Sequence, residues 1–524
     1  MTAQRHTVPE LIDRWAAEQP DARFLVADDA SLTYGDLDRL SRDVGARLAA
    51  LGVGKGTRVG VMMPNSAAWV VAGLAVARLG GVIVTLSTLL RPPELEAQLR
   101  TAAVEHLVVI PGFRGRDYLA DLQEISPALV PHAPAEPAPI LAATLPRLRS
   151  VLVWPEWSVA PDVPVAPASL VDALAAAVTP ADDLAIIFTS GSRGAPKGVI
   201  HTHGGALGNT DAGLEPRCVG RDEVLYVPMP FFWVGGFGTG LLSVLLAGAT
   251  LVIEAQTDPE HTLALLARER VTLFRGWPDQ AATIAAHPSF ATTDLPALRP
   301  GSLQAILPDG APAARRPALL GMTESFGPYC GDRLDRDMPA GKEGSCGRPF
   351  RDVDVRAVAP DTGAVVPAGE VGELQLRGPN LLRGICGKER SEVFTVDGWF
   401  PTGDLAVIDA DGYVFFRGRR DDMFKVKGAS VYPSEVEAAL RSLPEIQRVF
   451  VVDVEDAGAP AVGAVVVLAP GVECTDAELT AAAKARLSSF KVPTRWRAVG
   501  DDDVPMLPTG KVSLPGLREL LGES

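Results

Sequence analysis

Four segments near the start of the chain restrict what it can fold into. Arg58–Pro64 (RVGVMMP), Gly81–Leu86 (GVIVTL) and His106–Ile110 (HLVVI) are short apolar runs of strand length. Ser66–Leu79 (SAAWVVAGLAVARL) lies between the first two and reads as a helix buried on most faces. Strand–helix–strand alternation predicts an α/β fold with a largely parallel sheet. Residues 131–168 are rich in Pro and Ala and read as a surface excursion, interrupted by a strand at Val151–Trp154. Strands return at Leu184–Thr189 and Thr250–Glu254.

The pattern changes towards the C-terminus. From Asp352 to Phe416 the apolar runs shorten between turns such as PDTG and DADG, which predicts a small β-rich subdomain. Further on, Ser434 with Glu437 and Thr475 with Glu478 have capping-box spacing, each opening a helix; Val436, Leu440 and Leu443 share one face of the first. Strands at Val449–Val454 and Val462–Leu468 complete a compact α+β unit. The expected division is a large domain, 1–418, and a small one, 419–524.

The chain has 524 residues and a formal net charge of −15. That charge argues against a nucleic-acid partner, which needs a basic surface, and disfavours an anionic membrane. No apolar run follows the N-terminal residues and no stretch of about 20 apolar residues is free of charge or helix breakers, so neither a secretory leader nor a membrane span is expected. The five cysteines form no C-x-x-C pair and the seven histidines lack zinc spacing, which predicts free thiols in the cytoplasm. His201 and His203 read as helix-start or packing residues. Oligomeric state is not legible, and a homodimer stays open.

The strongest local signal is Thr189–Gly198 (TSGSRGAPKG), directly after the strand LAIIF. Glycines let backbone N–H groups approach an anion, hydroxyls add donors, and Lys197 adds charge. It is not a Walker A loop, since G-x-x-x-x-G-K-[ST] is absent. Four further motifs follow: Gly321–Glu324 (GMTE), Gly398–Asp404 (GWFPTGD), Gly418–Asp422 (GRRDD) running on to Lys425, Lys427 and Gly428, and Pro508–Lys511 (PTGK). Each has a bland reading: a tight turn for the loop, a turn cap for Asp404, a solvated charge run for Arg419 and Arg420, a surface lysine for Lys511. Together and in this order, over residues 10–520, they resemble the adenylate-forming superfamily of acyl-CoA synthetases, aryl-CoA ligases, luciferases and peptide-synthetase adenylation domains.

The resemblance implies a set of roles. Thr189, Ser190, Gly191, Ser192, Gly194 and Lys197 would cradle the β- and γ-phosphates of ATP. Asp309, Gly310, Ala311 and Pro312 would form the adenine-side loop. Thr323 would bond the α-phosphate and Glu324 would hold Mg²⁺, a hard cation suited to carboxylate oxygen. Asp404 would accept from both ribose hydroxyls, with Arg419 beside it. Lys511 would bridge the substrate carboxylate and the phosphates. Asp421 would be the hinge about which the small domain turns, withdrawing Lys511 and presenting Lys425, Lys427 and Gly428 for thioester formation. The implied activity is conversion of a carboxylic acid to an acyl-adenylate, then transfer to coenzyme A. Transfer to an amine or a carrier-protein thiol, and a degenerate non-catalytic nucleotide-binding protein, are the alternatives.

The sequence departs from the family pattern in four places. Arg193 replaces a small hydroxyl residue in the loop, and Leu320 replaces the aromatic residue before Gly-x-Thr-Glu. Only Ala311 to Met322 separate the adenine-side loop from Thr323, so the nucleotide pocket must be rebuilt there. In Pro230–Gly236 (PFFWVGG), Trp233 stands where the family has His and reads either as a gate or as core. Phe231, Phe232, Trp233, Gly235 and Trp277, with Phe274, are candidate walls of an acyl pocket. No basic residue presents itself for a second carboxylate, so the expected substrate is a monocarboxylate with an apolar body, fatty or aromatic.

Overall fold

A computed structural model describes residues 6–129, 140, 142–189, 197–307, 316–420, 422, 424–426, 429–456, 459–487, 489–507 and 512–522. The chain packs as two compact units, Met1–Asp354 with Arg377–Gly398, and Val355–Leu376 with Trp399–Ser524. Of the short strands beyond Asp354, Gly384–Ile385 falls in the first unit and Phe400–Ile408 and Val414–Arg419 fall in the second.

In the first unit, a seven-stranded sheet among the described residues runs in the order Gly384–Ile385, Lys197–Thr202, Asp183–Thr189, Val82–Thr85, Arg58–Met62, His106–Val109, Ser150–Val153. The last five are mutually parallel, and Lys197–Thr202 returns antiparallel to Asp183–Thr189. Every residue of Val82–Thr85 and His106–Val109 is buried, as expected of parallel strands covered on both faces. The expected helix is Ala67–Arg78. Ser66 caps it by accepting from the Trp69 N–H, and the Asp29 carboxylate accepts from Ala67 and Ala68 N–H at 2.9 and 3.3 Å, where the helix dipole favours an anion. Its last residue, Arg78, is fully buried and donates to Asp13, Asp38 and Ser41. A second sheet has the order Leu273–Phe274, Val224–Tyr226, Thr250–Val252, Arg23–Val26, Ser31–Thr33; its first four strands are parallel.

In the second unit, Ile446–Asp456 and Ala459–Leu468 form an antiparallel pair, with Arg495–Ala498 parallel to the latter. Val436, Leu440, Leu443, Val449, Val451, Leu479 and Trp496 belong to one apolar cluster. Thr475 and Glu478 form the predicted capping box. Ser434 and Glu437 do not: Tyr432 is the N-cap of Pro433–Arg441, the Ser434 hydroxyl donates to Arg417 O at 2.6 Å, and Glu437 accepts from Val451 N–H at 3.0 Å. Tertiary partners have taken both side chains from the local motif. Among the described residues, no helix is long and apolar enough to cross a membrane.

Candidate active site

The glycine-rich loop joins two strands of the seven-stranded sheet. Thr189 ends Asp183–Thr189, Lys197 begins Lys197–Thr202, and the two residues are cross-strand partners. Cross-strand partners project from the same face of a sheet. Alternation puts Val199 and His201 on that face as well. Ser190, Gly191, Ser192 and Gly194 lie outside the described residues, so only the two feet of the loop are placed.

The second motif sits against the same strand. Leu320–Met322 pairs antiparallel with Gly327–Gly331, and between them Thr323–Ser325 forms one tight turn. Ser325 is fully buried; its hydroxyl accepts from Met322 N–H and donates to Gly327 O at 2.7 Å. Phe326, also buried, is held at φ +56°, a left-handed conformation that costs a bulky residue energy. Two consecutive carbonyls of the turn are pinned. Thr323 O is 2.8 Å from His201 Nε2, and Glu324 O accepts from Leu382 N–H at 2.8 Å. The side chains of Thr323 and Glu324 stay partly exposed.

His201 is fully buried, and desolvation pushes its pKa down to about 3, so the ring is neutral. Because its partner is a carbonyl, the ring must carry its hydrogen on Nε2. His203 opens the helix His203–Ala212 and accepts from Val8 N–H at 3.2 Å through Nδ1, with burial lowering its pKa to about 4. The reading of both as packing or helix-start residues fits His203. For His201 it leaves out the bond to Thr323, which lies 122 residues away and gives no local signal.

Asp404 and Arg419 lie in the second unit as cross-strand partners, with Arg419 Nη1 donating to Asp404 Oδ1 at 2.7 Å. Asp404 is 5% exposed. Burial raises its pKa, and the Arg419 charge pulls the other way. Gly403 adopts φ +73°, and a Cβ there would lie 3.1 Å from Arg419 Nη2, so glycine suits the turn twice over. Glu373, missed from the sequence, supports the motif. It is buried, accepts from Gly403 N–H at 3.2 Å and from Arg420 Nη1 at 2.8 Å. A signal existed: a carboxylate between the apolar residues of the strand Val371–Arg377, at a buried position.

The aromatic segment divides. Phe231 is 1% exposed and packs on Trp69 with ring centroids 5.1 Å apart, so it is core. Phe232 is buried against Trp233 at 5.1 Å, and the half-buried Trp233 meets Trp277 at 5.5 Å. Trp277 is 41% exposed. Phe274 packs with Tyr226 in a separate apolar cluster. Asn65 clips the segment by donating to Met229 O at 3.0 Å and accepting from Phe231 N–H at 2.8 Å. The chain then enters a π-helix, Gly235–Leu242, a form common at functional sites. A Cβ on Gly236 would stand 2.3 Å from both Met229 O and Pro230 O, so the approach requires glycine.

Asp309, Gly310, Ala311, Pro312, Asp421, Lys427, Gly428 and Lys511 lie outside the described residues. Lys425 falls in the short strand Phe424–Val426. Among the described residues no group of three or more His, Cys, Asp or Glu side chains gathers as metal ligands. One carboxylate still fits Mg²⁺, which is commonly held by one or two protein carboxylates plus substrate phosphates.

The chain matches known proteins along most of its length. The family described as AMP-binding enzyme matches residues 12–386, and the AMP-binding enzyme C-terminal domain matches 435–511. A feruloyl-CoA synthase from Amycolatopsis is 32% identical, covering 97% of this chain and 98% of its own. A methyl-dioxo-octahydro-indenyl-propanoyl:CoA ligase from Mycobacterium tuberculosis is 32% identical, covering 98% and 99%. The solved structure of ATP-bound MatB from Rhodopseudomonas palustris superposes with a TM-score of 0.76 at 25% identity, covering 98% of each chain. With these matches, and with the glycine-rich segment, the Thr-Glu turn and the Asp404–Arg419 pair following one another along it, the chain belongs to the AMP-binding enzymes, the adenylate-forming group.

Proposed function

We propose that the protein is an acyl-CoA synthetase that couples ATP, a carboxylic acid and coenzyme A. A carboxylate oxygen attacks the α-phosphorus of ATP; the O–P bond forms, the bond to the β-phosphate oxygen breaks, and pyrophosphate leaves. The thiol of coenzyme A then attacks the acyl carbonyl, loses its proton, and AMP departs. The observation that carries this reading is that Thr189, Lys197 and, through His201, the Thr323–Glu324 turn are organised on one face of one sheet. The two curated relatives compared above, one a CoA synthase and one a CoA ligase, support coenzyme A as acceptor.

In this reading Thr189, Lys197 and the loop between them bind the terminal phosphates, and Thr323 orients the α-phosphate. Asp404 takes the ribose hydroxyls, with Arg419 holding its orientation. Glu324 holds Mg²⁺, which when bound offsets the charge of the departing pyrophosphate. Lys511, carried on the 419–524 domain, meets the attacking carboxylate and is withdrawn by rotation about Asp421 for the thioester step. Trp233 and Trp277 border the acyl pocket, and the acid is a monocarboxylate with an apolar, preferably aromatic body. The feruloyl and polycyclic propanoyl groups in the relatives' names fit that class. We place the enzyme in the cytoplasm.

The test is a panel of carboxylic acids with ATP, Mg²⁺ and coenzyme A, read by mass spectrometry of the products. Acyl-CoA and AMP are expected from wild type, and Lys511→Ala should lose acyl-AMP formation by at least about 100-fold. Full-speed adenylation by that variant would overturn the mechanism.

A further inference from the structure

The face of Lys197–Thr202 that carries Lys197 also carries His201, four residues or about 13 Å along the strand. Its neighbour on that face, Val199, and the cross-strand Ile187 are apolar and buried, so packing alone would be met by another apolar side chain. A buried imidazole instead costs desolvation unless it is bonded. Here one nitrogen bonds Thr323 O at 2.8 Å, the other has no partner among the described residues, and the ring stands edge-on to Phe326 at 4.9 Å. Leu382 N–H fixes the next carbonyl, Glu324 O. Backbone pins thus hold the turn at two consecutive residues.

We propose that His201 is a positioning residue: its Nε2–H holds the Thr323 carbonyl and thereby aims the Thr323 hydroxyl and the Glu324 carboxylate at the nucleotide. This rests on the adenylation reading. One rigid strand then sets the distance between the phosphate loop and the Thr-Glu turn. Such spacing governs reactivity, since a 1 Å misplacement can cost about 100-fold in rate.

The experiment uses the full-length chain as wild type, His201→Leu, His201→Asn and His201→Gln. Leucine removes the donor, asparagine is too short to reach Thr323 O, and glutamine keeps an N–H at similar reach. Acid-dependent ATP–pyrophosphate exchange is measured against Mg²⁺ concentration, alongside melting temperature. In His201→Leu and His201→Asn, kcat is expected to fall about 10- to 100-fold. The Mg²⁺ requirement should rise while KM for the acid changes by less than about twofold. His201→Gln should recover to within about threefold of wild type. In parallel, ¹⁵N-histidine NMR of the wild type, assigned by the signal missing in His201→Gln, is expected to show the Nε2–H tautomer.

A Leu variant with wild-type kcat and Mg²⁺ dependence, equal losses in Leu and Gln variants, or an Nδ1–H tautomer would overturn the proposal. If His201→Leu does not fold, the Asn–Gln contrast and the tautomer decide. Absence of exchange in wild type would instead sink the adenylation reading, and with it the catalytic purpose of the bond, while the NMR result would still report whether the bond exists.

Discussion

Asp404→Asn separates what the site does from what holds the fold together. Asp404 is 5% exposed and receives Arg419 Nη1 at 2.7 Å. Asparagine keeps one acceptor oxygen and turns the other into a donor, set beside a guanidinium that can only donate. Hydrogen bonds to a charged group are worth about 1.5–3 kcal/mol, so loss of one ribose contact predicts a rise of about 10- to 150-fold in KM for ATP. KM for the acid should be little changed. Stability should move the other way. Burial raises the pKa of Asp404 above its ordinary 3.8 even with Arg419 beside it. Between the ordinary and the raised value the folded chain keeps a proton that the unfolded chain has released. Stability therefore falls as pH rises through that window and stays lower above it. At neutral pH the substitution removes an unfavourable buried charge, and the variant's melting temperature is expected at or above wild type. Exchange kinetics against ATP and a thermal melt on the same preparation measure both. A variant with unaltered KM for ATP, or one whose lost activity tracks a lost folded fraction, would refute the reasoning.

Three further outcomes are expected. Gly236→Ala drives a Cβ to 2.3 Å from two carbonyl oxygens and should cost about 1–3 kcal/mol, seen as a lowered denaturant midpoint. His106 bonds Ser150 Oγ at 2.8 Å, and burial pushes its pKa from 6.5 to about 4. The unfolded chain takes up that proton first, so stability should drop by up to about 1.4 kcal/mol per unit as pH falls from 6.5 towards 4. His106→Gln should flatten that slope in urea titrations run at stepped pH. Asp421→Pro, by fixing φ at the proposed hinge, should slow thioester formation more than adenylation in single-turnover assays of each step; equal losses would count against the hinge.

What was legible in the sequence follows from what each feature demands of residue type. Parallel strands covered on both faces must be apolar throughout, so Val82–Thr85 and His106–Val109 announced themselves. A loop proposed to approach phosphate calls for glycine and hydroxyl residues, and that composition drew attention to Thr189–Gly198. Glu324 and Asp404 were picked out by the motifs around them, and the proposed magnesium and ribose roles suit carboxylates. The capping box at Ser434 failed although its spacing was right, because Arg417 O and Val451 N–H, partners remote in sequence, competed for the same side chains and won.

The supporting residues were missed because their signals were faint, and the reason is physical. What His201 binds is a backbone carbonyl, which every residue possesses, so nothing at Thr323 advertises a need for histidine 122 positions earlier. The same holds for Glu373, whose partners are the Gly403 amide and a guanidinium 47 positions away. Residues that react must be of particular types and leave a pattern. Residues that only hold a backbone in place can be of many types and leave almost none, except where a polar group is buried at a cost that packing does not require. By that criterion His201 and Glu373 share a signature: each is a buried polar group on a strand, bonded to the backbone of a motif residue. Substituting either should therefore act first on the geometry of Thr323–Glu324 or of Gly403–Asp404, and only secondarily on the stability of the sheet that carries it.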